Sequence, residues 1–316
     1  MSTRALLIGL LAMLVLVGGF IGWTVHSSED VSSKAPLAEK PRPSARASVS
    51  RPPKLVVSDR LKALADDGKR DHLRLEIARS IDTDLNEAEI DYLFGILKRD
   101  PAHHAREDWW VVMNEIMEQM RKKNVAPARY SQELLSLMND PGQPEVVRDY
   151  CAQHLALWVT PQNGGGHGVA QEECRQVLDA LAALIVDPSL AHSSIPGTAM
   201  MALTAADKTI AAELIDPAWQ KVDPVMSSML EGKTPAPLAL KTTIIQSLAL
   251  QGSAKHLPLI QQMARDHAID PSLRLSSIAA LGVYAAPEDR AYLTELAESS
   301  TKFRYAAQAA LKKINQ

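Results

Sequence analysis

His103 and His104 stand just ahead of Glu107 and Asp108, side-chain types that ligate metals. On a helix His104 and Asp108, four residues apart, share one face. A metal site of this kind needs more ligands, and the HExxH spacing is missing. The plainer reading is a polar helix start, with its acids at the positive end of the helix dipole. Cys151 and Cys174 flank the stretch 161–168, PQNGGGHG. If helices over 144–159 and 169–186 fold back on each other, the two sulfurs can meet as a disulfide, which an exported body would permit. Two separate buried thiols are the other reading. The glycines of that stretch suggest a phosphate cradle. No Lys-Ser/Thr follows them and no strand precedes them, so the stretch reads as a hairpin loop. Nothing resembles a Ser-His-Asp set, a haem-attachment motif or a zinc knuckle. These residues predict no catalytic centre, no metal and no cofactor, and the chain is not expected to be an enzyme.

Trp109 and Trp110 bear on binding instead. Adjacent on a helix, they point about 100° apart. One reading sets one of them on an open groove as a binding anchor; the other plugs both into repeat interfaces. Met113, Met117 and Met120 follow helical spacing and read as core.

The elements that must position these residues are helical. Candidate helices fall near 58–66, 70–80, 86–99, 104–123, 128–139, 144–159, 169–186, 196–203, 207–221, 236–250, 255–267, 272–285, 288–299 and 302–314. Breakers separate them: Gly68, Pro101, Pro127, Pro141 with Gly142, Pro188, Pro196, Pro217, Pro235 and Pro271. Asp100-Pro101, Asp140-Pro141 and Asp270-Pro271 share a form, an Asp to cap a helix and a Pro for its first turn. No alternating run reads as a strand. Hydrophobic residues make up 46% of the chain and aromatics 4%, so the core must come from close helix contacts rather than large rings. The formal charge of −3 gives no field for nucleic acid.

A spacing recurs along these helices. Arg274 precedes Leu281 by seven residues, and Arg304 precedes Leu311 by seven, with alanines between. Seven residues is close to two turns, so each Arg and its Leu lie on nearly one face. The spacing runs backwards through Lys241 and Leu248, Arg148 and Leu155, and Arg106 and Met113, with Pro196 and Leu203 lacking the base. The steps of 30 to 48 residues suit a helical hairpin with its loops. Asp270-Pro271, Arg274, Ala279-Ala280-Leu281-Gly282 and Arg304-Tyr305-Ala306-Ala307 resemble HEAT or HEAT-like repeats. The resemblance is clear over 236–316 and degenerate over 58–235. It implies an all-α solenoid of stacked antiparallel hairpins, with Asp and Arg as structural ties and a long surface for another macromolecule. One HEAT-repeat hydroxylase family binds iron through His-Glu pairs. No His in this chain is followed by Glu, so that activity is not implied. A HEAT-like lyase holding a small prosthetic group is the alternative to a non-enzymatic scaffold.

The start of the chain is of another kind. Residues 5–25 carry no charge and as a helix would span about 31 Å, close to the thickness of a hydrocarbon core. The run is long for a cleaved signal peptide, and Val25-His26-Ser27 is a poor cut site. It reads as a bacterial-type transmembrane signal anchor behind a short segment, 1–4. Lys34, Lys40, Arg42 and Arg46 beyond the span pull its orientation one way, and the short N-terminus with Arg4 pulls it the other. The expectation is N-terminus inside and the body periplasmic or otherwise extracytoplasmic. Residues 26–57, rich in Pro, Ser, Ala, Lys and Arg, read as a disordered linker; a basic arm for anionic lipid is the sharper alternative. The expected partners are the membrane, through 5–25, and a protein of unstated identity.

Overall fold

The computed structural model describes residues 56–66, 68–99, 109–160 and 169–315, and the unit they belong to runs from Lys54 to Gln316. The expected anchor at 5–25 and all but the last two residues of the 26–57 linker lie outside the described residues. So do His103, His104, Arg106, Asp100-Pro101 and the 161–168 loop. Among the described residues no helix is long and apolar enough to cross a membrane.

Every regular element among the described residues is helical. In order they are α1 (Asp59–Lys62), α2 (Asp71–Arg79), α3 (Glu87–Leu97), α4 (Trp109–Lys122), α5 (Pro127–Asn139), α6 (Glu145–Val159) and α7 (Gln171–Val186). Then come α8 (Ile195–Asp207), α9 (Ala212–Leu230), α10 (Leu238–Gln251), α11 (Leu257–Arg265), α12 (Pro271–Tyr284), α13 (Arg290–Ser299) and α14 (Arg304–Ile314).

The helices form two layers. In the even layer each helix touches the next, from α2 through α4, α6, α8, α10 and α12 to α14. The odd helices lie across them: α5 on α6, α7 on α8, α11 on α12 and α13 on α14, with α7 also touching α5 and α9. Short connections make successive helices antiparallel, so the even helices all run one way and begin along one edge. One apolar core runs the length of the array, from Leu61 to Ala310. This is an α-solenoid of helical hairpins.

Local sequence explains the element ends. Asn86 caps α3: its side chain accepts the Glu89 amide at 3.2 Å while the Glu89 carboxylate accepts the Asn86 amide at 3.2 Å, a reciprocal box that satisfies two orphan donors. Asp270 caps α12 by accepting the Ser272 amide at 2.7 Å, with Pro271 at the first position. Asp140 does not cap a helix start as its sequence form suggested. It sits just past the end of α5 and its carboxylate accepts the Gly142 amide at 2.8 Å, closing a turn before α6. Pro217, read as a breaker, lies inside α9 together with Pro224. Both are exposed. The carbonyls they leave unbonded, of Glu213 and Gln220, belong to exposed residues and can be hydrated, so the helix continues.

The even layer is drawn tight by small residues. A Cβ placed on Gly282 of α12 would lie 2.5 Å from the Ala310 Cα of α14, so only glycine permits that approach. Gly95, in α3 of the odd layer, meets nothing within 4 Å.

Candidate docking surface

The repeated arginines act at helix ends. Arg74, Arg148 and Arg274 are each the fourth residue of an even helix, and all three are buried. Each Nε donates to a carbonyl in or just past the last turn of the preceding helical segment. The partners are Asp66 O at 3.1 Å, Met138 O at 2.7 Å and Ala264 O at 2.9 Å. A helix's last carbonyls have no intrahelical donor and carry its negative dipole end. The buried guanidinium supplies both the donor and the charge, which makes its burial tolerable. The same groups reach forward. Arg274 lies 4.8 Å from the Phe303 ring centroid and Arg74 lies 5.5 Å from that of Trp109, cation–π contacts to the start of the next even helix.

The seven-residue spacing found some of this. Leu155, Leu248 and Leu281 are fully buried, as are Leu203 and Met113. Lys241 is also the fourth residue of its helix, and it is half-buried. Arg304 differs. It is the first residue of α14, not the fourth, and it is exposed, while Leu311 is half-buried. The spacing is preserved but its register on the helix is not. In the last turn of α13 Ser299 Oγ donates instead to Glu295 O at 2.7 Å, and Ser300 Oγ accepts the Phe303 amide at 3.0 Å just ahead of α14. Arg74 belongs to the set and was not picked out by the spacing. Its position four residues into a helix is the signal that finds it.

The cysteines do not pair. Both thiols are free and buried, and burial pushes the pKa of each up. The pairing assumed that the stretches 144–159 and 169–186 form one hairpin. The hairpins instead join an odd helix to the even helix after it, so α6 lies along α5 and α7 along α8. Trp109 is buried beneath Arg74, while Trp110 is half-buried against the core.

Polar groups inside the array are mostly spent on holding it. His154 of α6 is buried, with Nε2 3.0 Å from Asn114 Oδ1 and Nδ1 3.6 Å from Glu118 Oε2, both on α4. Burial holds its pKa down to about 4 despite the nearby Glu118 carboxylate. Asp289 is buried and accepts Gln261 at 3.0 Å and Arg265 at 2.6 Å. Asp223 binds Lys255 and His256. Among the described residues no group of three or more His, Cys, Asp or Glu is placed to hold a metal. A hollow of about 410 Å³ lies between Val57 and one face of α3, with Asp91, Tyr92 and Arg99 on its wall.

The two outer faces contrast. The odd layer turns charge outward: Glu172, Arg175 and Asp179 on α7, Glu213, Asp216 and Lys221 on α9, Arg290, Glu295 and Glu298 on α13. Across α8, α10 and α12 of the even layer, the charged residues within the helices are Asp207, Lys241 and Arg274. Asp207 accepts the Trp219 indole at 2.8 Å, and Arg274 is buried. Lys241 is half-buried, as is Gln246; most of the rest that these helices leave open is small or apolar, including Thr198, Met201, Thr242 and Ala279. Leu238 (41% exposed), Leu275 (36%) and Tyr305 (80%) stand out on three successive even helices. All lie within the first five residues of their helix, along one edge of the layer.

Comparison with known proteins adds little beyond this geometry. No protein-family profile and no curated protein matches the sequence. A structure of human deoxyhypusine hydroxylase in complex with glycerol aligns at 14% identity and a TM-score of 0.31, over 81% of this chain and 94% of that one. A designed armadillo repeat protein aligns at 14% identity and a TM-score of 0.36, over 81% and 98%. Neither likeness is near enough to bear on function.

Proposed function

We propose that this chain is a membrane-anchored, non-enzymatic scaffold that docks a protein partner on the outer face of its even layer. The observation that carries the reading is the partly apolar face over α8, α10 and α12, on which Asp207 and Lys241 are the half-buried charges, set against a charged odd layer. A solvated face with no task carries charge, as the odd layer does; a face poor in charge with large apolar side chains standing on it marks a contact surface. The uncharged run 5–25 supplies the membrane attachment, and 26–57 is the linker that lets the body reach its partner. The short N-terminal segment with Arg4 supports a body on the periplasmic or extracytoplasmic side. Protease added to one side of sealed membranes cleaves the linker only if that side is correct. The enzyme alternative needs a deep hollow lined by convergent polar groups, and no observation favours it.

The test compares Thr242→Glu with Leu275→Glu, separately and together, in the full chain. Thr242 is half-buried and Leu275 is 36% exposed, so each variant should fold and lose no more than about 1–2 kcal/mol, checked by melting in parallel. Proteins held by the wild-type chain after crosslinking in intact membranes should be lost from the double variant. Retention of the same proteins at wild-type yield would sink the assignment of this face.

A further inference from the structure

The last even helix carries its charge differently from the others. From Thr301 to Gln316 the chain has four bases, Lys302, Arg304, Lys312 and Lys313, and no acid. All four are exposed, and among the described residues none of them is in an ion pair. Exposed bases elsewhere, such as Arg79 and Lys98, do reach a carboxylate. α14 packs on α12 and α13 and buries Ala307 and Ala310. At about 100° per residue, Arg304, Tyr305, Gln308, Ala309 and Lys312 share the side away from that contact, and all five are exposed. The helix dipole accounts for Lys312 and Lys313 in the last turn. It opposes Arg304 at the first position and Lys302 ahead of it, and the first turn holds no acid to offset them. Lys302 has only the Phe303 ring, 5.6 Å away at its centroid. The acids of neighbouring elements are placed otherwise. Asp266 and Asp270, ahead of α12, accept the Ala268 and Ser272 amides at 2.8 and 2.7 Å. Glu288 precedes α13, and Glu295 and Glu298 stand on its outward side.

We infer that this open side of α14 rests on an anionic lipid surface, which gives the array a second, reversible hold on the membrane. The inference rests on the anchor assigned above to 5–25. Cations with no protein counter-charge suit a plane of phosphate headgroups, and Tyr305, 80% exposed among them, suits the interface. One convex helix side gives a peptide little to grip, whereas a bilayer needs only charge and an interfacial side chain. Each base near such a surface multiplies the bound population about fivefold. The four together, after screening by salt, give roughly a hundredfold. That is too little to bring a free protein down from dilute solution and ample for a body already tethered there. The tether is long enough. Six even-to-even steps of about 8–10 Å each separate α14 from α2, and the linker 26–57 reaches about 100 Å at full extension.

The test reconstitutes the full-length chain into two kinds of vesicle, phosphatidylcholine alone and phosphatidylcholine with about a third phosphatidylglycerol. A fluorophore on Gln308→Cys reports contact with a quencher carried on lipid headgroups; the native thiols are buried and stay unlabelled. Quenching at low salt should be about threefold greater on the anionic vesicles and should fall to the neutral level at about 0.5 M salt. Arg304→Glu with Lys312→Glu should abolish the difference, with melting unchanged because both side chains are exposed. A label at Asp216→Cys on α9 should be quenched by neither vesicle. Equal quenching on the two vesicle types, or a difference that survives the charge reversal, would overturn the inference. So would a label that is quenched by neither while a polyglutamate peptide binds the chain, since the occupant would then be an acidic protein segment. Flotation with neutral vesicles reads the anchor separately. A chain that floats with them but shows no preference for anionic lipid keeps its anchor and loses this contact. A chain that does not float loses both, because the four bases cannot hold a free body.

Discussion

The two layers of this array are built from the same helix type and differ in what they do with it. Even helices touch one another along the whole array, and Gly282 of α12 lies directly against Ala310 of α14. The odd helices α7, α9 and α13 carry outward charge that α8, α10 and α12 largely lack, and α9 tolerates two prolines on its exposed side. The buried arginines sit in the even helices and close the ends of the preceding segments. Continuity therefore lives in the even layer, and the odd layer buttresses it in water. A layer held by small residues and internal polar ties has no need of outward charge to stay folded, which leaves its open face to be shaped for contact.

The contrast can be broken at its weakest point, the end of the array. Removing 288–316 strips α13 and α14 from α12 and bares Ile278 and Leu281, both now fully buried. The truncated chain should aggregate and lose its cooperative melt; a monomer with unchanged melting would show that the even layer does not depend on its neighbours.

Acid should find the even layer next. The folded pKa of His154 is held at about 4, below the ordinary value of 6.5. The unfolded chain thus takes up a proton at a higher pH than the native one does. The stability that goes with neutral His154 is complete above pH 6.5 and is lost as pH falls from 6.5 towards 4, by about 3 kcal/mol. Urea unfolding at pH 7 and pH 4.5 should show that loss in the wild type, and a smaller loss in His154→Gln.

The third comparison sets two arginines of one sequence pattern against each other. Arg274→Met removes the donor to Ala264 O and the contact with Phe303, and should cost about 2–3 kcal/mol. Arg304→Met should stay within about 0.5 kcal/mol. Similar losses at both sites, measured by denaturant midpoint, would mean that register on the helix does not matter.

The smallest effect separates the layers most cleanly. Gly282→Ala should destabilise by about 2 kcal/mol through overpacking. Gly95→Ala, in open space on α3, should stabilise by about 0.5–1 kcal/mol through helix propensity. The same substitution would then have opposite signs in the two layers.

Much of the fold was legible because periodic apolar residues and Pro or Asp punctuation act locally. Where the expectations failed, the deciding physics was not local. Pro217 reads as a breaker from its own chemistry, but its exposure within α9 determines whether the unbonded carbonyl can be hydrated. Arg304 has the spacing of Arg274, and only the true start of α14 shows that it falls three positions out of register. The choice between a Cys151–Cys174 disulfide and two separate thiols, left open by the sequence, depended on which neighbours form a hairpin, since α6 can pair with the helix before it or the one after. The proposed contact face was hardest to see, because its mark is a scarcity of charge spread over helices far apart in the chain.

The most direct test places a photo-crosslinking residue at Thr242 on the even face or at Asp216 on the odd face of the full-length chain. The account predicts that light attaches one defined protein at position 242 and none at 216, with the yield at 242 suppressed by Leu275→Glu. Equal yields at the two positions, or capture at 216 alone, would contradict it.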